Sequence, residues 1–287
     1  MQNIEENKKI IFISSYPKSG NTWLRCIISS ILNNQNGKFN FNDLNKTRLF
    51  SRESHFKHFK DLEYQENGNL NFNFVSNNWI KAQQKINEES KDVRFFKTHS
   101  IREISNKYFT DQTVCLGFIY VVRDPRDIAI SYTHHCKGDL NVAIETMLYN
   151  NKNYASHHKT NELISTWKQH LFSWNKFKSV PRLFIKYEDM LDNTKKILLH
   201  IIDFINSLTI LSINKNNDFL KNILNTTSFN YLQLLEKNFG FNEATNNSVF
   251  FRKGVSNQWK TILSQNQKDL IQNELEIPMK QLGYLVQ

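Results

Sequence analysis

The first residues with a chemical signature lie in a short polar segment that follows an apolar run. Residues 15–23 read Ser-Tyr-Pro-Lys-Ser-Gly-Asn-Thr-Trp and precede a stretch in which apolar residues recur at helical spacing. Backbone N–H groups at the start of a helix bind anions. Compared with the phosphate-loop pattern G-x-x-x-x-G-K-[ST], Gly20 and Thr22 are in register, Asn21 replaces the lysine, and the lysine has moved to Lys18. The segment predicts a phosphate-binding loop unlike that of an ordinary nucleoside triphosphatase, with a plain turn as the alternative.

A second candidate phosphate site begins where residues 121–127 read Val-Val-Arg-Asp-Pro-Arg-Asp. Asp124 is a suitable N-cap and Pro125 a suitable first helical residue, so a helix is predicted to begin here. Ser131 would lie about two turns into that helix, where it and Arg123 together can hold a phosphate. The alternative is a capped surface helix with ion pairs.

The third candidate site has an arginine and a lysine beside a glycine, at Arg252, Lys253 and Gly254. Glycine permits a close approach of the backbone, and the two cations suit a phosphate group. This pattern is weak when it is taken alone. Three anion-binding segments in one chain, however, exceed the needs of an ordinary mononucleotide and indicate a nucleotide phosphorylated at both its 5′ and 3′ ends.

Short apolar runs alternate with helical periodicity and predict the elements that position these sites. The predicted strands cover residues 10–14, 93–96, 114–122 and 182–187. Two of the predicted helices follow the last two strands, at 125–136 and 194–205. Near-continuous apolar strands indicate a parallel sheet covered on both faces, and reacting groups gather at the carboxyl ends of such strands. The predicted fold class is therefore α/β, a single domain over residues 1–287 with a central parallel β-sheet flanked by helices.

Two stretches have weaker patterns and are interpreted as lid or loop regions that receive a substrate. Residues 38–92 scatter phenylalanine among polar residues, with one helix predicted over 77–87. Residues 240–258 form a predicted loop with little apolar signal. Further helices are predicted over residues 218–224, 229–237 and 265–275.

The composition limits the partners and the compartment. A chain of 287 residues with 39% hydrophobic residues can bury a sizeable core in one domain. A net charge of +10 leaves both nucleotide and nucleic acid open as partners, and a solvated lysine-rich surface explains it as well. Cys26, Cys115 and Cys136 lack metal-site spacing and fit free thiols in a reducing compartment. Because no leader and no membrane-spanning stretch is expected, the predicted localisation is cytoplasmic.

Taken together, the three segments resemble those of the cytosolic-type sulfotransferase family. The family's 5′-phosphosulfate loop is similar to residues 16–23, its 3′-phosphate motif to residues 120–131, and its motif R-K-G-x-x-G-D-W-K to residues 252–260, where Asn257 and Gln258 replace Gly-Asp. The resemblance implies a sulfotransferase with 3′-phosphoadenosine 5′-phosphosulfate (PAPS) as co-substrate, adenosine 3′,5′-bisphosphate (PAP) as product, and no metal. The donor-binding residues that it implies are Lys18, Ser19, Gly20, Asn21, Thr22, Arg123, Ser131, Arg252, Lys253 and Gly254, with Trp23, Tyr187, Thr227 and Phe229 around the adenine.

The resemblance also implies the residues that carry out the reaction. The family pattern Lys-x-His matches Lys97 to His99 and assigns His99 as the general base that takes the proton of an acceptor hydroxyl or amine. Lys18 would neutralise the leaving oxygen after release from a contact with Ser131, and Lys97 would assist at the sulfonate oxygens. The histidines interpreted as structural are His134, His135, His157 and His158.

Two other functions stay open on the residues alone. A phosphate loop also serves magnesium-dependent nucleotide kinases and triphosphatases, although Asn21 in the lysine position counts against them. A basic nucleic-acid-binding protein is supported only by charge. The expected partner is a small-molecule acceptor of unidentified structure, with no nucleic acid and no membrane. A degenerate form of the family's dimer motif K-x-x-x-T-V-x-x-x-E over residues 260–269 favours a monomer or a weak homodimer.

Overall fold

The structure is a computed structural model that describes residues 8–33, 36–136, 138–152, 154–244 and 249–285. The strands of the described residues are β1 (Ile10–Ser15), β2 (Arg94–Thr98), β3 (Glu103–Ile104), β4 (Lys107–Tyr108), β5 (Cys115–Val122), β6 (Tyr154–His157), β7 (Thr160–Leu163) and β8 (Arg182–Lys186). Four of them form one parallel sheet in the order β2-β1-β5-β8. The parallel sheet predicted from the apolar runs is therefore confirmed, with small shifts of the strand ends.

Helices connect and cover these strands. The α-helices are α1 (Asn21–Asn33), α2 (Phe72–Asn77), α3 (Trp79–Glu89), α4 (Pro125–Cys136), α5 (Leu140–Tyr149), α6 (Trp167–Asn175), α7 (Tyr187–Asp192), α8 (Thr194–Leu208), α9 (Asn217–Thr226), α10 (Phe229–Phe239), α11 (Trp259–Ile262), α12 (Gln265–Glu274) and α13 (Glu276–Gln281). Two 3₁₀-helices cover Phe41–Thr47 and Glu53–His55. Among the residues that the structure describes, no helix has the length and apolar composition that crossing a bilayer requires.

The core has two parts, one on each face of the sheet, because successive residues of a strand point to opposite faces. In β1, Ile10 and Phe12 belong to one part, whereas Ile11 and Ile13 belong to the other. Helices α1, α8 and α9 contribute to the part that contains Ile11, and α3, α4, α5, α6 and α12 contribute to the part that contains Phe12. Burial on both faces explains why the strands are almost continuously apolar.

Much of the predicted lid between residues 38 and 92 packs into this core. Phe56, Leu70, Val75 and Trp79 are almost completely buried with Phe12. The earlier part of this stretch lies at the open end of the sheet, because Leu49 forms a parallel bridge with Lys97 of β2. The helix predicted over 77–87 is α3, which begins and ends two residues later.

Two local features were not predicted from the sequence. β6 and β7 form a hairpin whose two-residue turn, His158 and Lys159, has positive φ at both positions, 48° and 62°. That geometry matches the twist of a hairpin but usually selects Asn-Gly, which this turn lacks. The last strand was predicted to end at Tyr187, but it ends at Lys186, and Tyr187 begins α7.

Cys26 and Cys115 are buried free thiols, as expected, while the side chain of Cys136 lies outside the described residues.

Candidate active site

The carboxyl ends of β1, β2 and β5 open into a cavity of about 1330 Å³. All three predicted phosphate segments and the predicted base line this cavity. The predicted site residues that line it are Lys18, Gly20, Asn21, Thr22, Trp23, Lys97, His99, Arg123, Ser131, Tyr187, Phe229, Arg252, Lys253 and Gly254. Ser19 and Thr227 are not among the lining residues. Segments that are far apart in the chain thus meet at one site, where open α/β sheets bind ligands.

The loop between β1 and α1 has a backbone that a plain turn does not require. Lys18 has a φ of 68° and Gly20 a φ of 98°, so both lie in the left-handed region. A side chain at Gly20 would meet the ring of Tyr187, because a Cβ there would lie 2.5 Å from Tyr187 Cδ2. Asn21 holds the loop against β1 by donating from Nδ2 to the Ile13 carbonyl at 3.1 Å. The lysine position of the phosphate-loop pattern is therefore occupied by a residue that fixes the loop.

Lys18 and Ser19 have different environments within this loop. The Lys18 ammonium lies 4.9 Å from the centre of the Phe250 ring, which also lines the cavity. Ser19 is fully buried, and its hydroxyl oxygen has no hydrogen-bond partner among the described residues. Because Ser19 does not line the cavity, no contact among the described residues offsets the cost of this buried, unpaired hydroxyl.

Arg123 connects the three segments. Its Nη1 donates to the Lys18 carbonyl at 3.2 Å, and its Nη2 donates to the Val255 carbonyl at 2.9 Å. Its guanidinium also lies 4.2 Å from the centre of the Tyr187 ring. The sequence suggested that Arg123 only contacts a phosphate, but it also holds the loops around that phosphate site together. Burial and the charge of Arg123 lower the pKa of Arg252.

The third segment is anchored by Asp127, a residue of the second one. The Asp127 carboxylate is fully buried and accepts the backbone N–H groups of Asn257, at 2.7 Å, and Trp259, at 3.0 Å. Asn257 has a φ of 62°. Asparagine tolerates this left-handed conformation better than most residues, which explains how it replaces a glycine of the family pattern. Gly254 is needed for space, because a Cβ there would lie 2.4 Å from the Phe229 ring.

Three of the four residues expected around the adenine, Trp23, Tyr187 and Phe229, contribute aromatic rings to the lining of the cavity. The Trp23 ring meets the Tyr187 ring edge to face, with 5.9 Å between the centroids, and Trp23 Nε1 donates to the Thr227 carbonyl at 2.8 Å. The Thr227 hydroxyl donates to the Ile223 carbonyl within α9. Thr227 therefore positions Trp23 through its backbone, and its side chain does not face the cavity.

His99 follows β2 and is held by hydrogen bonds to its ring and its backbone. Its Nδ1 lies 2.8 Å from the Ser15 carbonyl oxygen, which can only accept, so Nδ1 carries the proton and Nε2 the lone pair. Its backbone N–H donates to Glu162 Oε1 at 2.9 Å, and its carbonyl accepts from His170 Nε2 at 3.1 Å. The ring has the tautomer that a general base at Nε2 requires.

Glu162 and His170 were not found by sequence reasoning, because neither belongs to a motif. Both side chains are fully buried. Burial lowers the pKa of His170 to about 3, so the ring is neutral and its Nδ1 accepts from the Tyr120 hydroxyl at 2.8 Å. Burial raises the pKa of Glu162, whose Oε1 also accepts from the Thr98 hydroxyl at 2.9 Å. Both residues fix the His99 backbone from within the core.

Lys97 is engaged by a carboxylate that the sequence did not indicate. Its Nζ lies 3.4 Å from Glu243 Oε2, and Arg25 Nη1 lies 2.7 Å from Glu243 Oε1. Burial would raise the pKa of the Glu243 carboxyl, but Lys97 and Arg25 hold that pKa at about 2. Burial lowers the pKa of Lys97. The expected role of Lys97 at the sulfonate oxygens therefore competes with this ion pair.

The other histidines have unequal environments. His158 was interpreted as structural, but it lines the cavity and its Nε2 lies 3.1 Å from Arg52 Nη2. His134 is exposed. The side chains of His135 and His157 lie outside the described residues. Across the described ranges, no group of three or more His, Cys, Asp or Glu residues is arranged to hold a metal ion.

Comparisons with known proteins agree with this geometry. The chain is 29% identical to Sulfotransferase 1B1 of Canis lupus familiaris over 271 residues, which cover 90% of this chain and 80% of the relative. Mouse sulfotransferase SULT7A1 complexed with PAP has a TM-score of 0.55 at 19% identity, covering 96% of this chain and 85% of that one. Retinol dehydratase in complex with androsterone and inactive cofactor PAP has a TM-score of 0.62 at 18% identity, with coverages of 97% and 83%. The family model described as Sulfotransferase domain matches residues 8–283, and the chain belongs to this family.

Proposed function

We propose that this sulfotransferase transfers the sulfonate of PAPS to a hydroxyl or amine of a small molecule, with His99 as the general base. The family match supports sulfonate transfer, and two solved relatives in this fold are complexes with PAP. The cavity offers cations from three separate segments, at Lys18, Arg123 and Arg252. A donor with phosphate at its 3′ carbon and phosphosulfate at its 5′ carbon is complementary to such an arrangement.

The observation that carries the proposal is the hydrogen bond from His99 Nδ1 to the Ser15 carbonyl. It assigns the basic lone pair to Nε2, and it ties the base to the strand that leads into the Lys18 loop. As the acceptor oxygen or nitrogen attacks sulfur, its proton passes to His99 Nε2 and the bond between sulfur and the bridging oxygen breaks. The electron pair of that bond stays on the leaving nucleotide.

Lys18 is proposed to stabilise the negative charge that develops on the leaving oxygen. It lies in the loop that leads into the N-terminus of α1, which suits the phosphosulfate. Arg252 and Ser131, which line the same cavity, are proposed to hold the 3′-phosphate. Lys97 is proposed to reach the sulfonate oxygens once Glu243 no longer holds it.

The quaternary state is proposed to be a monomer or a weak homodimer. In the stretch that resembles the dimer motif, Gln265 stands where that motif has an apolar residue, and Gln265 Nε2 donates to Asp269 Oδ1 at 2.7 Å within α12. A polar residue in this position weakens a small symmetric contact. Light scattering that shows a stable dimer at micromolar concentration would contradict this assignment.

The donor assignment is tested by thermal stability and by transfer of a label. PAP should raise the melting temperature clearly more than AMP, because AMP lacks the 3′-phosphate and binding to the native state stabilises by mass action. Transfer of radiolabelled sulfonate from PAPS to a mixed panel of phenols, alcohols and amines should persist in EDTA. Equal thermal shifts with PAP and AMP, or transfer that requires magnesium, would contradict the proposed function.

A further inference from the structure

The cavity wall carries more positive charge than the donor segments account for. Four cations outside those segments line it, at Arg25, Arg48, Arg52 and Lys97. Among the described lining residues, Glu243 is the sole carboxylate. Arg25 and Lys97 share this carboxylate, at 2.7 and 3.4 Å. Among the described residues, Arg48 and Arg52 form no ion pair with a carboxylate, and Glu243 acts on Arg52 only as a nearby charge.

The environment of Arg52 suits the binding of an anion. Its Nε is buried and has no hydrogen-bond partner among the described residues. Burial and the nearby charge of Arg48 lower the pKa of Arg52, and the charge of Glu243 offsets this lowering only in part. The carboxylate of the adjacent Glu53 does not compensate, because it accepts from the Tyr64 hydroxyl at 2.8 Å and pairs with Lys159 at 3.5 Å, and it does not line the cavity.

The Arg52 guanidinium is oriented by His158. Arginine can only donate, so Arg52 Nη2 donates to His158 Nε2, and the imidazole is neutral. Burial and the charge of Arg52 lower the pKa of His158, which also favours the neutral imidazole. His158 sits in the hairpin turn with a φ of 48°.

The two arginines lie beside the catalytic end of β2. The Lys97 N–H donates to the Arg48 carbonyl at 2.8 Å, and the Phe50 N–H donates to the Lys97 carbonyl at 3.0 Å. This segment therefore runs along the edge of β2, directly before His99. The hairpin of β6 and β7 contacts both places, since His158 in its turn binds Arg52 and Glu162 in β7 binds the His99 N–H. An acceptor at His99 can thus extend toward Arg48 and Arg52.

We propose that the acceptor carries an oxyanion group such as a carboxylate, which Arg48 and Arg52 bind while its hydroxyl or amine faces His99. This inference rests on the proposed function. A guanidinium matches the planar geometry of a carboxylate, and a charged hydrogen bond is stronger than a neutral one. A cationic acceptor would instead have to compete with Lys97 and Arg25 for Glu243, next to two further cations.

Three phenols with a common skeleton test the inference: 4-hydroxyphenylacetate, its neutral amide, and tyramine. Wild-type kcat/KM should be about tenfold or more higher for the acid than for the amide, and lowest for tyramine. Arg52→Gln should lower the ratio of acid to amide by about tenfold or more, and Arg52→Lys should retain part of it. Arg94→Gln is the matched control, because Arg94 is exposed at the start of β2 and does not line the cavity.

Binding measurements keep the test independent of turnover. The same three phenols are titrated into protein saturated with PAP, and the acid should bind most tightly. If PAP does not bind, the proposed function fails. If PAP binds but acid and amide bind alike, or tyramine binds best, only the present inference is wrong. A loss of PAP affinity in Arg52→Gln would also overturn it, because Arg52 would then serve the donor.

Discussion

The side of the cavity formed by the loops around Lys18, Arg123 and Arg252, termed the donor side, is held in place by hydrogen bonds to backbone groups. On the side formed by Arg25, Arg48, Arg52, Lys97 and Glu243, termed the acceptor side, charged side chains hold one another. Arg123 donates to two carbonyls and Asp127 accepts two N–H groups. Across the cavity, Glu243 pairs with Arg25 and Lys97. Loops held by backbone hydrogen bonds restrict which residue types fit, and they therefore leave a pattern in the sequence. Ion pairs between side chains, such as those of Glu243, restrict the residue types around them much less.

The largest expected effect is that of Lys18→Ala on the donor side. Loss of a charged hydrogen bond to the phosphosulfate and of charge stabilisation at the leaving oxygen should together lower kcat/KM by roughly three to five orders of magnitude. Donor titration and single-turnover rates separate the two contributions. Lys196→Ala, at an exposed position on α8, is the matched control. If Lys18→Ala reacts at the wild-type rate, Lys18 does not act on the leaving oxygen.

A pair of glycine substitutions tests how far the donor side depends on backbone geometry. Gly254 and Gly68 have similar φ values, 62° and 77°, but only Gly254 has a ring where a Cβ would lie. Gly254→Ala should lower the unfolding free energy by about 1–3 kcal/mol more than Gly68→Ala, because overpacking adds to the backbone cost. It should also weaken PAP binding. Denaturant unfolding and calorimetric titration measure both, and equal losses in the two variants would contradict the close packing against Phe229.

Arg252→Ala tests the 3′-phosphate site. Removing one charged hydrogen bond should weaken PAP binding by about ten- to a hundredfold, while AMP, which lacks this phosphate, should bind with nearly unchanged affinity. Isothermal titration with both nucleotides gives the ratio directly. A parallel loss for PAP and AMP would place Arg252 elsewhere on the nucleotide.

His170, which binds the His99 carbonyl, is expected to have a smaller effect, a pH dependence of the unfolding free energy. The pKa of His170 is lowered to about 3 in the folded protein, from an ordinary value of 6.5. As the pH falls below 6.5, the unfolded chain takes up a proton that the folded protein does not take up until about pH 3, so stability falls in this window. The loss approaches about 1.4 kcal/mol per pH unit. His170→Gln should make this dependence less steep in urea unfolding between pH 7 and 5, while His55, whose pKa burial lowers to about 4, keeps its own contribution. His200→Gln, at an exposed position, is the matched control.

The elements that could be predicted from the sequence are those whose structure allows only a few residue types at each position. Doubly covered strands must be apolar, so the four strands of the parallel sheet were found. The donor loop needs Gly20, and the start of α4 favours Asp124 and Pro125. These restrictions act over a few consecutive residues, which makes them visible in one sequence.

The remaining site residues are brought together only by the tertiary fold. Glu162 and His170 reach His99 from β7 and α6, and no local pattern distinguishes them from other buried polar residues. Glu243 and Arg52 are residue types that usually lie on the surface, and only the folded structure shows that both line the cavity. The turn at His158 lacks the Asn-Gly signal that such turns usually carry, so the hairpin that supports the acceptor side was missed.

The central claim, that His99 performs proton transfer on a donor site built by other residues, is tested most directly by His99→Ala. Single-turnover transfer from saturating PAPS and calorimetric titration with PAP are measured on the same preparation. Transfer should slow by roughly two to four orders of magnitude while PAP affinity stays nearly unchanged. Transfer at the wild-type rate, or a loss of PAP affinity as large as that of Arg252→Ala, would contradict it.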